Sequence, residues 1–294
     1  MDDNRSIRIG VNPLSWMNSD FPHLNAAPVE QCLQEASEIG YEGVELENPF
    51  REVMSELPEM LHRAHLFLAA GWHSTYLLDK GVEYSLDALQ KHLDLLKFLG
   101  AKVVNLGECS RSVHRKQGVP LSTRPILNEK EKDQLAEGLE KLAERTEEEG
   151  MISAYHPHMG TVVQTGEEVQ ALMERTSKLG LLLDTGHLFY AGADPLAVQE
   201  NFQKRITHVH FKNIRKKILD KLIDQDSDFL SAVLQGAFTV PGDPEGSYDF
   251  APVIDRLKKG GYTGWIIMEA EQDPSTADPY TYAEMGYKEI AKNL

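Results

Sequence analysis

Cysteines and cations are scarce in this chain, and it has no long apolar run. Only Cys32 and Cys109 occur in 294 residues. That is too few for a disulfide framework and matches a reducing compartment. Lys and Arg total 30 against 46 Asp and Glu, a net charge of −16. A surface that neutralises phosphates needs the opposite sign, so nucleic acid is not an expected partner. No apolar run is long enough to span a bilayer, and no charged-then-apolar leader pattern is present. A cytoplasmic enzyme with no membrane partner is therefore the expectation. The glycine-rich cradles that hold nucleotide phosphates are missing, as is a Gly-x-Ser-x-Gly elbow. Cys109 has no evident His partner and reads as a small packed residue. Trp16, Trp72 and Trp265 read as packing, with Trp16 also placed to line a pocket after the first strand.

What is present is a recurring unit. The apolar content of 41% suffices for a large core. Amphipathic stretches end in glycine, and an apolar run follows each. The junction glycines are Gly40, Gly71, Gly100, Gly150, Gly180 and Gly261, a residue suited to the left-handed turn that ends a helix. The spacing predicts strands at Ile7–Asn12, Val44–Glu47, Trp72–Leu77, Lys102–Leu106, Ile152–His156, Leu181–Asp184, Ile206–Phe211 and Trp265–Glu269. Val29, Cys32, Leu33, Ala36 and Ile39 share one helical face. So do Leu86, Leu89, Leu93 and Leu96, and later Leu135, Leu139 and Leu142. Strands that alternate with helices imply a parallel sheet. Eight of them, about 30 residues apart, predict a closed (β/α)₈ TIM barrel in one domain over residues 1–294. Gly40-Tyr-Glu-Gly43 and Gly261-Tyr-Thr-Gly264 occupy equivalent places in two units. Two connections are long, Cys109–Asn128 after strand four and Lys212–Tyr248 after strand seven. The second is expected to hold a helix with Ile218, Leu222, Phe229, Leu230, Val233 and Leu234 as its apolar positions. Both read as covers over the barrel mouth.

The predicted strands turn polar at their carboxyl ends. These ends carry Asn12, Glu47 with Asn48, His73, Asn105 with Glu108, His156 with His158, Asp184 with His187, His208 with His210, and Glu269 with Glu271. In a barrel they converge on the active-site face. Any one of them could be a satisfied structural group, but a ring of unpaired carboxylates and imidazoles is costly to bury. A divalent cation resolves that cost, and mixed oxygen and nitrogen donors suit Mn²⁺, Co²⁺, Zn²⁺ or Fe²⁺ better than Ca²⁺. Asp184, after Leu181-Leu-Leu183, is the firmest single ligand, with helix N-capping as its structural alternative. His187 reads as a ligand, a substrate contact or an outer donor. Lys212 reads either as a substrate-binding or proton-shuttling group or as a solvated loop lysine.

The motifs Tyr155-His-Pro-His-Met-Gly-Thr161, Leu183-Asp-Thr-Gly-His187, His208-Val-His-Phe-Lys212, Phe238-Thr-Val-Pro-Gly-Asp243 and Glu269-Ala-Glu-Gln-Asp-Pro274 resemble the xylose-isomerase-like barrel superfamily. The last two are similar to its inosose dehydratase branch. The resemblance implies a hydro-lyase that removes water from 2-keto-myo-inositol, a cyclic polyol ketone of inositol catabolism, with Mn²⁺ or Co²⁺ as the leading metals. A homo-oligomer is compatible with it. Carried over position by position, the metal ligands would be His156, Asp184, His210 and Glu269. His156 stands where relatives carry a Glu that serves as an acid–base group. Glu271, His158, Lys212 and His187 are the catalytic candidates, and Glu269 is a further candidate proton carrier. A metal-dependent ketose epimerase or isomerase on the same barrel is the alternative. A sugar-binding barrel without catalysis would lack use for the polar ring. The superfamily's endonucleases on abasic DNA are disfavoured by the negative charge.

Overall fold

The computed structural model describes residues 7–18, 20–24 and 27–294. Eight runs form parallel strands, apolar except where they supply polar groups to the barrel: Ile7–Val11 (β1), Gly43–Leu46 (β2), Phe67–Thr75 (β3), Val103–Glu108 (β4), Ile152–Tyr155 (β5), Leu181–Asp184 (β6), Ile206–Phe211 (β7) and Gly264–Met268 (β10). They pair in the ring β1-β10-β7-β6-β5-β4-β3-β2, a closed barrel. Two short strands, Asn213–Ile214 (β8) and Phe238–Thr239 (β9), make a separate antiparallel pair outside it.

The helices are Val29–Ile39 (α1), Leu57–Arg63 (α2), Leu77–Phe98 (α3), Glu129–Glu148 (α4), Gly166–Arg175 (α5), Thr185–Tyr190 (α6), Pro195–Phe202 (α7), Lys216–Asp224 (α8), Phe229–Leu234 (α9), Ala251–Lys259 (α10) and Pro279–Ala291 (α11). Their apolar stripes are buried as the periodicity requires: Cys32, Leu33 and Ala36 on α1, Leu89, Leu93 and Leu96 on α3, and Leu135, Leu139 and Leu142 on α4. Asn128 with Glu131, and Thr165 with Glu168, form capping boxes that start α4 and α5.

Side chains alternate in and out along each strand, so the barrel interior is built in layers. Ala70, Val103, Ala154 and Leu182 form one small buried cluster. Two residues further along each of those strands stand Trp72, Asn105, His156 and Asp184. The apolar layer is thus the floor beneath a polar one.

The chain departs from the sequence expectation at three junctions. Gly40, Gly100, Gly150 and Gly261 have positive φ at helix ends, but Gly71 and Gly180 do not. Gly71 lies inside β3, paired with Leu46 and Val104. That strand begins at Phe67, five residues before the expected Trp72, and stops at Thr75; Leu77 already opens α3. The turn before β3 is made by His65, with φ +56°. Gly180 is required by close approach instead, since a Cβ there would sit 2.2 Å from the Ser153 carbonyl oxygen. The excursion after β7 holds two helices, α8 and α9. Asp226 at φ +48° ends the first and Asp228 caps the second.

Candidate active site

β2 delivers a buried acid, Glu45. Glu45 accepts from Asn12 Nδ2 (2.8 Å), Asn105 Nδ2 (2.8 Å), His208 Nε2 (2.8 Å) and His210 Nε2 (3.1 Å). Burial opposes its charge, but the two histidines outweigh that and hold the carboxyl below the usual range. Glu45 was not singled out in the sequence. Its signal was a lone acid one position inside a four-residue barrel strand, sharing the face of Glu47.

Asp184 ends β6 and uses its two oxygens differently. Oδ1 accepts from the His187 amide at 2.8 Å and so caps α6, while Oδ2 lies 3.1 Å from His156 Nε2. Capping and site roles coexist in one fully buried carboxylate. Glu269 follows β10 and accepts from Asn12 Nδ2 at 2.7 Å. Its Oε2 lies 3.1 Å from His210 Nδ1, and that nitrogen is 3.8 Å from Asp184.

Lys212 is fully buried, which removes the solvated-loop reading. Its ammonium contacts Glu269 Oε1 (2.6 Å), Glu271 Oε1 (2.7 Å) and Asp184 Oδ2 (3.5 Å), and it donates to His187 Nε2 at 3.0 Å. Burial works against its charge, but the three carboxylates prevail and hold its pKa above the usual lysine value. Thr185 Oγ1 accepts from the Lys212 amide and donates to its carbonyl. Gly186 lets the lysine stem pass, since a Cβ there would lie 2.5 Å from Lys212 Cγ. Glu271 is pushed by burial, against Lys212, up to about 7.

Burial drives His158 and His187 well below the ordinary imidazole range, so both are neutral. His158 Nδ1 lies 2.9 Å from the Met159 carbonyl, which can only accept, so the proton is assigned to Nδ1 and Nε2 keeps a free lone pair. His187 Nε2 accepts from Lys212, which assigns its proton to Nδ1.

The ring tests well as a metal site. Among the described residues, His156, Asp184, His187 and Glu269 can each offer an atom within 4.8 Å of the others. His156 Nε2 and His210 Nδ1 each lie 3.1 Å from a carboxylate oxygen, of Asp184 and Glu269 respectively, the mixed nitrogen and oxygen donors that a cation would share. His210, expected in that set, turns Nε2 to Glu45. The Glu45–His208–His210 group is a second such cluster, and His158–His187–Glu271 a third.

Not every predicted strand end joins the site. His73 faces away from the barrel interior, stacked on His92 of α3 with ring centroids 5.2 Å apart. It stands next to inward-facing Trp72, and parity puts it on the other face. Glu108 accepts from Thr75 Oγ1 and from the Leu77 and Leu78 amides, so it anchors the start of α3. Trp16 donates to Glu35 on α1 at 2.6 Å and is packing. Trp72, Glu47, Asn48, Asn105, His156, His158, His210, Glu269 and Glu271 do line one cleft. Asp20, Arg51, His114 and Arg115 complete its rim. Reading strand ends alone missed these, because they lie on connecting loops. Arg115 donates to Asp20 at 2.9 Å across that rim.

The family described as xylose isomerase-like TIM barrel matches residues 33–291. The rhizopine catabolism protein MocC of Rhizobium meliloti is 42% identical over 98% of this chain and 88% of its own length. The inosose dehydratase of Bacillus cereus (strain AH820) is 39% identical over 96% of both chains. Among solved structures, a probable 3-DHS dehydratase, AsbF, from Bacillus anthracis superposes with a TM-score of 0.71 at 15% identity, covering 97% of this chain and 99% of that one. The IolI protein with a bound zinc atom gives 0.68 at 17% identity, covering 98% and 96%. A D-allulose 3-epimerase from Methylomonas sp. gives 0.68 at 18% identity, covering all of both chains. At these identities the structural likeness speaks to fold alone. The chain belongs to the xylose isomerase-like TIM barrel family.

Proposed function

We propose that this member of the xylose isomerase-like barrel family dehydrates 2-keto-myo-inositol or a closely related cyclic polyol ketone. The observation that carries the reading is the buried Lys212–Glu271 contact of 2.7 Å beside the candidate metal ligands. It provides an acid and a base that are not themselves needed to hold the ion. His156, Asp184 and Glu269 would hold a divalent cation, with His210 as the fourth donor. Such an ion supplies, when bound, the positive charge that acidifies a C–H beside a ketone.

In this reading Glu271, poised near neutrality, removes the proton from the carbon next to the carbonyl. The Lys212 ammonium then protonates the hydroxyl on the following carbon, which leaves as water. The carbon–oxygen bond breaks, a carbon–carbon double bond forms, and the resulting enol relaxes to a diketone. The proton on Glu271 returns to the Lys212 amine over their direct contact, restoring both groups. His158 Nε2 accepts a substrate hydroxyl and orients the ring. His187 holds the lysine. The curated relatives named inosose dehydratase support this substrate class.

Purified protein loaded with Mn²⁺ or Co²⁺ is expected to convert 2-keto-myo-inositol to a product with diketone absorbance. No reaction there, with epimerisation of a free ketose instead, would overturn the dehydratase reading.

A further inference from the structure

The Val240-Pro-Gly-Asp243 turn and Arg215 take no part in the proton transfers, yet they converge on one buried contact. Arg215 Nη2 donates to Asp243 Oδ2 at 2.6 Å and to the Tyr282 hydroxyl of α11 at 3.3 Å. Its Nη1 donates to the Gly236 carbonyl at 2.9 Å. The Arg215 amide donates to the Ala237 carbonyl at 2.8 Å. Asp243 also accepts from the Thr239 hydroxyl and from the Glu245 amide. One guanidinium thus ties both ends of the α8–α9 excursion to the turn and to α11. Only 12% of the Arg215 side chain and 6% of Asp243 are exposed, so the pair is little screened.

The excursion that this pair closes carries an aromatic plate. Phe229 of α9 packs on His158 with ring centroids 5.0 Å apart, and on His187 at 6.0 Å. Phe238 of β9 packs on His187 at 5.9 Å and on Phe229 at 5.4 Å. The Lys212 ammonium lies 5.5 Å from the Phe238 ring centre. Both phenylalanines are fully buried. They belong to a hydrophobic cluster separate from the barrel core, together with Val113 and Met159 from the loops after β4 and β5. The plate can therefore loosen without the barrel losing its own core.

We propose that Arg215 and Asp243 are positioning residues for catalysis: they seat the Phe229–Phe238 plate against His158, His187 and Lys212 and keep water from the acid–base pair. Exclusion of water strengthens the fixed charges around Lys212. The plate contributes little to the cleft lining, so loosening it alters the chemical step more than substrate binding. This inference rests on the proposed dehydration only for its kinetic readout.

The test uses Asp243→Asn, which keeps the shape and removes the charge. Amide hydrogen exchange is expected to rise in residues 228–239 and to stay at wild-type level in the barrel strands. The kcat is expected to fall by roughly 10- to 100-fold with KM within about twofold. Asp220→Asn, on the solvent side of α8, should leave both unchanged. Wild-type kcat in Asp243→Asn, or unchanged exchange in residues 228–239, overturns the proposal. Should Asp243→Asn destabilise the barrel strands, Phe229→Leu decides. It leaves the ion pair in place and thins the plate, and a wild-type kcat there overturns the proposal equally. A wild-type protein that fails to dehydrate the ketone rejects the proposed reaction, while the exchange comparison still judges the seating role.

Discussion

Lys212 is the residue on which the charge balance of the mouth turns. Its ammonium compensates Asp184, Glu269 and Glu271 at once, with no exposure to solvent. Removing one partner of a buried charge cluster leaves the others uncompensated, at a cost of roughly 3–5 kcal/mol. Lys212→Met is therefore expected to lower the thermal midpoint of metal-free protein markedly and to cut turnover by about 100-fold or more. Added divalent cation should recover part of the lost stability but not the turnover. A melt curve with and without the ion, beside an initial-rate assay, reads both. Glu271 gives a second prediction. Its folded pKa is about 7, raised from 4.5. A raised carboxyl pKa contributes stability that is fully present below the unfolded value and is lost as pH rises through the folded one. Between those two values the midpoint of metal-free protein should decline, and Glu271→Gln should flatten that decline. Identical pH–midpoint curves for the two proteins would remove Glu271 as the titrating group.

At the scale of elements, most of the barrel is legible in the sequence and the loops are less so. Strand runs such as Leu181–Asp184 and Ile206–Phe211 coincide with the observed strands, because a fully buried parallel strand must be apolar until it reaches the mouth. The junction before β3 was misplaced because Gly71 looks like a helix end. There His65 supplies the left-handed turn, and Gly71 serves packing against Leu96 and Leu46. His73 and Glu108 looked like site residues because they are polar and near strand ends. Parity sends the first outward, and the α3 amides claim the second. Glu45 was missed because an acid inside a strand conflicts with an apolar core until its four donors are known. The rim pair Asp20–Arg115 was invisible, since the two residues lie 95 positions apart on different loops. Burial raises the Asp20 pKa, and Arg115 counters it. Both line the cleft, and in the proposed reaction they would bind substrate hydroxyls. Asp20→Asn is expected to raise KM by about 3- to 10-fold with kcat little changed, the mark of uniform binding. A drop in kcat at constant KM would place Asp20 in the chemistry instead.

For the whole molecule, a cation held as proposed by the buried ring of histidines and carboxylates would tie stability to metal content. A ligand that binds only the folded state adds about 4 kcal/mol at a thousandfold excess over its Kd. Chelation is therefore expected to lower the thermal midpoint by several degrees, and reloading with Mn²⁺, Co²⁺ or Zn²⁺ to restore it. Asp184→Ala should abolish the difference. Equal midpoints for chelated and reloaded protein, with Asp184→Ala behaving as wild type, would sink the metal reading.

The pairing of β1 with β10 has a consequence for synthesis. Ile7 meets Gly264 and Val11 meets Met268, so the first strand waits for the last before its edge is covered. Glu269 and Glu271 arrive on that same final segment. Until it leaves the ribosome, the nascent chain carries two open sheet edges, Lys212 lacks Glu269 and Glu271, and His210 lacks Glu269. Unpaired edges are where unfinished chains associate wrongly. Closure of the barrel and completion of the site are thus one late event, and a ribosome stalled ahead of β10 holds a chain with neither.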